Sequence, residues 1–262
     1  MLGYFLATLI GLSLGLLGGG GSILTVPILV YAMNMDAKLS IALSLAIVAV
    51  TSLIGVWSHY KNGNVDLKVA AVFAPVAMIG TFLGAKLSSF ISGQVQLILF
   101  AAIMLLASFF MLRPKKERAE DSQSKEMNIP LIAIEGLIVG VVTGLVGVGG
   151  GFLIVPALAL LGGVEMKKAV GTSLLIISLK SFSGFAGYAT MIDIPWAFLG
   201  KFILFSGVGI IIGSGLVKHI SQDKLKKAFA VFLIVMGIFI LYKNRAQLIP
   251  SVQKPIQTSE TL

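Results

Sequence analysis

The chain has 262 residues, of which 57% are hydrophobic and only 12% charged, with a formal net charge of +9 and no cysteine. Soluble domains carry roughly 25% charged residues, so the composition argues against a soluble fold, and the missing cysteines exclude disulfides and thiolate metal sites. The basic residues sit in short connections between apolar runs, not on one amphipathic face, which fits positive-inside topology and speaks against nucleic-acid binding.

The first apolar run, 2–33, starts without a basic segment and lacks a small-residue cleavage site, so it reads as part of the membrane body and not as a signal peptide. Further runs follow at 39–58, 69–87, 94–112, 130–162, 169–190, 196–217 and 225–242. A helical span needs about 20 apolar residues, and the runs are continuous without the alternation of a membrane barrel. The sequence therefore predicts an all-α polytopic membrane protein of a cell (cytoplasmic) membrane, in contact with lipid. Its expected divisions are a first repeat over 1–112, a polar linker over 113–129, a second repeat over 130–242 and a polar tail over 243–262.

The repeats align at one offset of 129 residues without a gap from Gly11 to Leu112. Gly11, Gly15, Gly18, Gly20, Gly21 and Pro27 fall on Gly140, Gly144, Gly147, Gly149, Gly150 and Pro156. Farther on, Ser44, Ser52, Gly55, Gly80 and Gly84 fall on Ser173, Ser181, Gly184, Gly209 and Gly213. The first run of each half is too long for one span and carries a glycine cluster, Gly18–Gly21 or Gly147–Gly151. Glycine lowers helix stability by about 1 kcal/mol per residue, so each run should break into two half-helices, leaving three further transmembrane helices per half. If the broken element returns the chain to its starting side, the Lys and Arg residues outside the spans divide as about 13 and 6, against about 11 and 8 for simple alternation. The stronger bias favours the first arrangement, hence inverted repeats with both termini outside.

Unwound backbone at membrane depth survives where protein or a water-filled cavity satisfies it. A half-helix that begins after such a break offers free N–H groups and a positive dipole end to an anion. The candidate binding residues are therefore Gly18, Gly20, Gly21, Ser22 and Thr25 in the first half, with Gly147, Gly149, Gly150 and Gly151 in the second. The competing reading is that the glycines allow close helix packing. Hydroxyls at Ser44, Thr51, Thr172 and Ser173 are candidates for a polar pathway, against the alternative that they bond back to their own helices. Lys180 stands mid-run where its repeat partner is Thr51. A charge at that depth costs at least about 2.5 kcal/mol, which makes it a candidate counter-charge unless it snorkels to an interface. His59, Asp66 and Glu135 lie at run edges and read as interfacial or loop residues. Two histidines without a carboxylate cluster make no metal site, no nucleophile has a matching base, and neither catalysis nor a cofactor is expected.

The segments GLSLGLLGGGGSILTVPIL and GVVTGLVGVGGGFLIVPAL, with AVGTSLLIISLKSFSG and HYKNGNVD, resemble the TauE/SafE sulfite exporter family of bacterial and archaeal membrane proteins. The family pattern falls on Gly18, Gly20, Gly21, Pro27, Gly147, Gly149, Gly150, Pro156, Gly171, Thr172 and Ser173, and on His59 with Gly63, Asn64, Val65 and Asp66. Lys180 departs from it, where a neutral polar residue is the expectation. The resemblance implies secondary transport of sulfite or a related small inorganic or organosulfur anion, with protons as a candidate coupling ion. The rivals are a membrane scaffold or assembly subunit without transport, a membrane enzyme, and a permease for a different ion such as a cation, against which the few intramembrane acids argue; oligomeric state is left open.

Overall fold

The computed structural model describes residues 2–112, 129–146, 151–158 and 164–245. Every regular element among them is helical. In chain order they are α1 (Leu2–Leu17), α2 (Gly20–Pro27) with a π turn over Ile28–Ala32, α3 (Ala37–Lys61), α4 (Leu67–Leu87) and α5 (Gly93–Leu112). The second half follows with α6 (Ile129–Val146), α7 (Gly151–Pro156), α8 (Met166–Ala189), α9 (Trp196–Leu216) and α10 (Gln222–Lys243). Five of these, α3, α4, α5, α8 and α9, are long and apolar enough to cross a membrane.

The exterior is apolar as well as the core, which is the reverse of a soluble protein's surface. Large aliphatic side chains point outward, among them Leu204 at 67% exposure and Ile79 and Ile211 at 61% each, while Ser44, Thr51, Ser52, Thr172, Ser178, Lys180 and Ser181 are buried. Such an apolar exterior suits hydrocarbon and not water. Trp57 and Trp196 are exposed near helix ends, where amphipathic rings sit at the headgroup level.

The run 2–33 breaks where the glycines predict, and the break is a reversal. Gly18 takes φ +69°, a left-handed turn that glycine makes without steric cost. Beyond it α2 lies back along α1: a Cβ on Gly21 would stand 2.5 Å from the Ile10 carbonyl oxygen, and one on Gly3 would stand 2.9 Å from Met33 Cε. The end of the broken element is thus beside its beginning, and the chain returns to the face from which it started. From there α3 crosses to the opposite face, held at its start by Asp36, whose carboxylate accepts from Lys38 N and Leu39 N. We call the face of Leu2 and Met33 the termini face, because Asn244 after α10 bonds Tyr31 there, and the face of Lys61 and Leu112 the linker face. The linker over 113–128 and the tail beyond 245 lie outside the described residues.

Helix packing obeys the 129-residue offset of the sequence. Helix α1 packs along α9 as α6 packs along α4, while α3 meets α8 and α5 meets α10, each the other's equivalent. The matched glycines form the first two seams. A Cβ on Gly15 would lie 2.6 Å from Ser214 N of α9, and one on Gly80 of α4 would lie 2.6 Å from the Leu137 carbonyl of α6. Gly209 and Gly213 face Thr8 and Leu12 in the same way, and Gly140 and Gly144 face Ala77 and Thr81. At these spaced positions close packing is the reason for glycine; in the first cluster Gly18 makes the reversal, and Gly21 is also needed for the close approach of α2 to α1. Helices α3 and α8 cross antiparallel at equivalent residues, where Ser178 Oγ donates to the Ala49 carbonyl at 2.9 Å.

Candidate functional site

The first glycine break sits against the start of α8, near the linker face. A Cβ on Gly18 would be 2.8 Å from Ser173 Oγ and 2.9 Å from Val170 Cα, so Ser173 of one half touches the break of the other. The loop between α3 and α4 docks on the same spot. Asp66 N donates to Thr172 Oγ1 at 2.8 Å, and Gly171 leaves no room for a Cβ beside the Asn64 carbonyl. The Asp66 carboxylate caps α4 by accepting from Lys68 N and Val69 N. His59 is buried and its Nε2 lies 3.4 Å from the Gly15 carbonyl, one turn before the break. His59, Asn64, Asp66, Gly171, Thr172 and Ser173 thus form one polar cluster around the Gly18 reversal, although His59 and Asp66 read as edge residues in the sequence.

The opposite face carries the equivalent contact with different chemistry. Tyr188, equivalent to His59 at the offset of 129, reaches the Gly144 carbonyl at 3.2 Å, as His59 reaches Gly15. Gln96 Nε2 adds bonds to Tyr188 Oη at 3.0 Å and to the Leu145 carbonyl at 2.5 Å. Neither Tyr188 nor Gln96 stands out in the sequence, yet the offset that pairs Tyr188 with His59 was the available signal.

Ser22 and Thr25 use their protons on their own helix, on the carbonyls of Gly19 at 2.6 Å and Gly21 at 2.8 Å. This is the ordinary habit of helical hydroxyls, and it commits their protons to carbonyls of the glycine cluster itself. Ser173 does the same with the Val170 carbonyl. Thr51 meets Ser206 of α9 at 2.8 Å; Ser206 also bonds the Ile203 carbonyl, so Thr51 is the donor of the pair. Ser44 is buried with no protein partner for its hydroxyl. Gly20 opens α2, whose N-terminus has no side-chain cap, and Gly151 opens α7. Gly147, Gly149 and Gly150 lie outside the described residues.

Lys180 is wholly buried, so it does not snorkel to an interface. Its Nζ donates to Thr143 Oγ1 at 2.7 Å, and Thr143 passes its own proton to the Gly140 carbonyl at 3.2 Å. Thr143 stands three residues before Val146, the last residue of α6, so the Lys180 Nζ lies near the end of that helix. No ion pair to Lys180 occurs among the described residues. An ammonium has three donors, and the single hydroxyl is its whole set of partners there. No group of three metal-ligating side chains occurs among the described residues.

The sequence profile of the sulfite exporter TauE/SafE family matches residues 4–240. A probable membrane transporter protein of Xylella fastidiosa is 32% identical over 246 residues, covering 92% of this chain and 94% of that protein. The probable membrane transporter protein YdhB of Bacillus subtilis is 29% identical over 240 residues, covering 89% of this chain and 97% of its own. No solved structure matches the chain. The profile runs through both glycine-broken elements and through the helices that pack on them, and the chain belongs to the sulfite exporter TauE/SafE family.

Proposed function

We propose that the protein is a secondary transporter that exports a small anion, sulfite or a related organosulfur oxyanion, with Lys180 as the counter-charge. The observation that carries this reading is the buried Lys180 side chain, whose Nζ has one neutral hydroxyl as its partner among the described residues, near the end of α6. A charge at that depth is costly by at least about 2.5 kcal/mol, and an anion is the partner that offsets the cost without closing the site permanently. The two broken helices supply backbone N–H groups, and Gly18, Gly20, Gly21, Thr172 and Ser173 flank the route on the linker side. The offset of 129 pairs Gly147, Gly149 and Gly150 with Gly18, Gly20 and Gly21, and Ser44 with Ser173. Exchange of the two halves between equivalent arrangements then opens the site to either face in turn.

The test is flux of sulfite in proteoliposomes, with thiosulfate, sulfoacetate, sulfate and chloride as competitors, for the native chain and for Lys180→Met. Methionine keeps the length of the side chain and removes the buried charge, while the bond to Thr143, about 1.5–3 kcal/mol for a charged donor, is lost. The two effects nearly cancel, so Tm should stay within about 4 °C of native, while saturable flux disappears. Undiminished flux in a folded Lys180→Met variant refutes the role of Lys180, and no flux of any anion by the native chain refutes the transporter reading.

A further inference from the structure

Hydroxyls inside membrane helices normally donate to the carbonyl three or four residues back, and most in this protein do. Thr81 bonds Ala77, Ser88 bonds Ala85, Ser108 bonds Leu105 and Ser214 bonds Ile210. Among the described residues, the buried hydroxyls of Ser13, Ser40, Ser44, Ser52 and Ser181 have no partner. Ser52 and Ser181 are both wholly buried, and of these five they are the two that the offset of 129 makes equivalent. An unsatisfied buried polar group is costly, so an equivalent pair of them on two helices that pack together calls for a partner outside the chain.

Their placement says where that partner moves. Ser52 and Ser181 are equivalent at the offset of 129, and each stands three residues beyond the α3/α8 crossing that Ala49 and Ser178 mark. The helices run antiparallel, so Ser52 lies about 4.5 Å toward the linker face and Ser181 the same distance toward the termini face. The two are about 9 Å apart, too far for one small oxyanion to touch both. Ser181 follows Lys180 directly on the same turn of α8.

We propose that Ser52 and Ser181 are two successive hydroxyl stations for the transported oxyanion, one on each side of the mid-membrane crossing. A hydroxyl donates one hydrogen bond to an oxyanion oxygen and adds no charge, so the anion is steadied at each station without being trapped. The inference rests on the proposed transport function, and it adds residues that neither a glycine break nor the lysine identifies.

The experiment compares Ser52→Ala, Ser181→Ala, the double variant and Ser→Thr at each site, with the full chain in proteoliposomes and sulfite as the probe. The expected result is a rise of about tenfold in half-saturating sulfite for each alanine variant, equivalent to about 1.4 kcal/mol. Threonine, which keeps the hydroxyl, should restore native saturation. The alanine variants should melt at the native temperature or above it, because they remove an unsatisfied group. A double alanine variant that saturates like the native chain, while Lys180→Met has lost flux, overturns the stations and leaves the transporter reading standing. Double alanine variants that melt well below the native protein overturn them too, by showing a structural role. Absence of flux by the native chain removes the function on which the stations depend.

Discussion

Replacing Gly15 with Ala tests the packing that holds the first broken helix. The new Cβ would stand 2.6 Å from Ser214 N and 2.7 Å from the Ile210 carbonyl oxygen, both of them backbone atoms of α9. Neither can rotate away, and comfortable contact begins near about 3.5 Å, so α1 and α9 must part by about 1 Å. Over-packing of this kind costs about 1–3 kcal/mol, less the gain of up to about 1 kcal/mol that alanine brings to a helix. Gly200 and Gly215 on α9 have open space where a Cβ would go, so alanine there should stabilise by that same gain. Gly144, equivalent to Gly15 and crowded by the Thr81 carbonyl of α4, should respond as Gly15 does. Reversible unfolding in mixed micelles measures the difference, expected at about 1–3 kcal/mol between the crowded and the open sites. If Gly15→Ala proves as stable as Gly200→Ala, the close seams are wrong, and with them the equivalence of the α1/α9 and α6/α4 pairs.

Two further expectations concern the faces. Tyr188→Phe removes the phenol bonds to Gly144 and Gln96, whereas His59→Phe removes one contact of 3.4 Å. Each bond is worth about 0.5–1.5 kcal/mol, so labelling of Ser44→Cys from the termini face should rise about tenfold in Tyr188→Phe, and labelling of Ser173→Cys from the linker face about threefold in His59→Phe. The natural absence of cysteine makes the maleimide assay direct, and unchanged labelling in both would remove these contacts from control of access. A reporter fused to the C-terminus should be active only outside the cytoplasm, since about 13 basic residues flank the linker face and about 6 the termini face; a cytoplasmic C-terminus reverses that assignment.

How legible these features were depended on how local their causes are. The membrane class follows from composition, and the glycine seams follow from matched glycines four residues apart, because a backbone-to-backbone approach admits no other residue. The reversal at Gly18 was visible only as a bias in basic residues, and the structure supplies its geometry in the contact of Gly3 with Met33. Lys180 announced itself because one charge in an apolar run has few explanations. By contrast, the fates of Ser22, Thr25 and Ser52 are decided by a hydroxyl rotor, and sequence spacing says nothing about it. The bonds of Thr143 to Lys180 and of Gln96 to Tyr188 join residues 37 and 92 apart, with no periodic signal to connect them.

Among the described residues Lys180 is the one buried lysine, and its equivalent position holds no second one. Lys180 lies two residues past Ser178, about 3 Å along α8 from the crossing of equivalent helices, and its repeat partner Thr51 is neutral and bonded to Ser206. A second lysine at that place would double a desolvation cost of at least about 2.5 kcal/mol. The Lys180 side chain carries its Nζ to Thr143, the residue before Gly144, so the amine itself lies toward the termini face. His59 and Tyr188 lie toward opposite faces, and there the two halves differ in chemistry while keeping the same contact to Gly15 and Gly144.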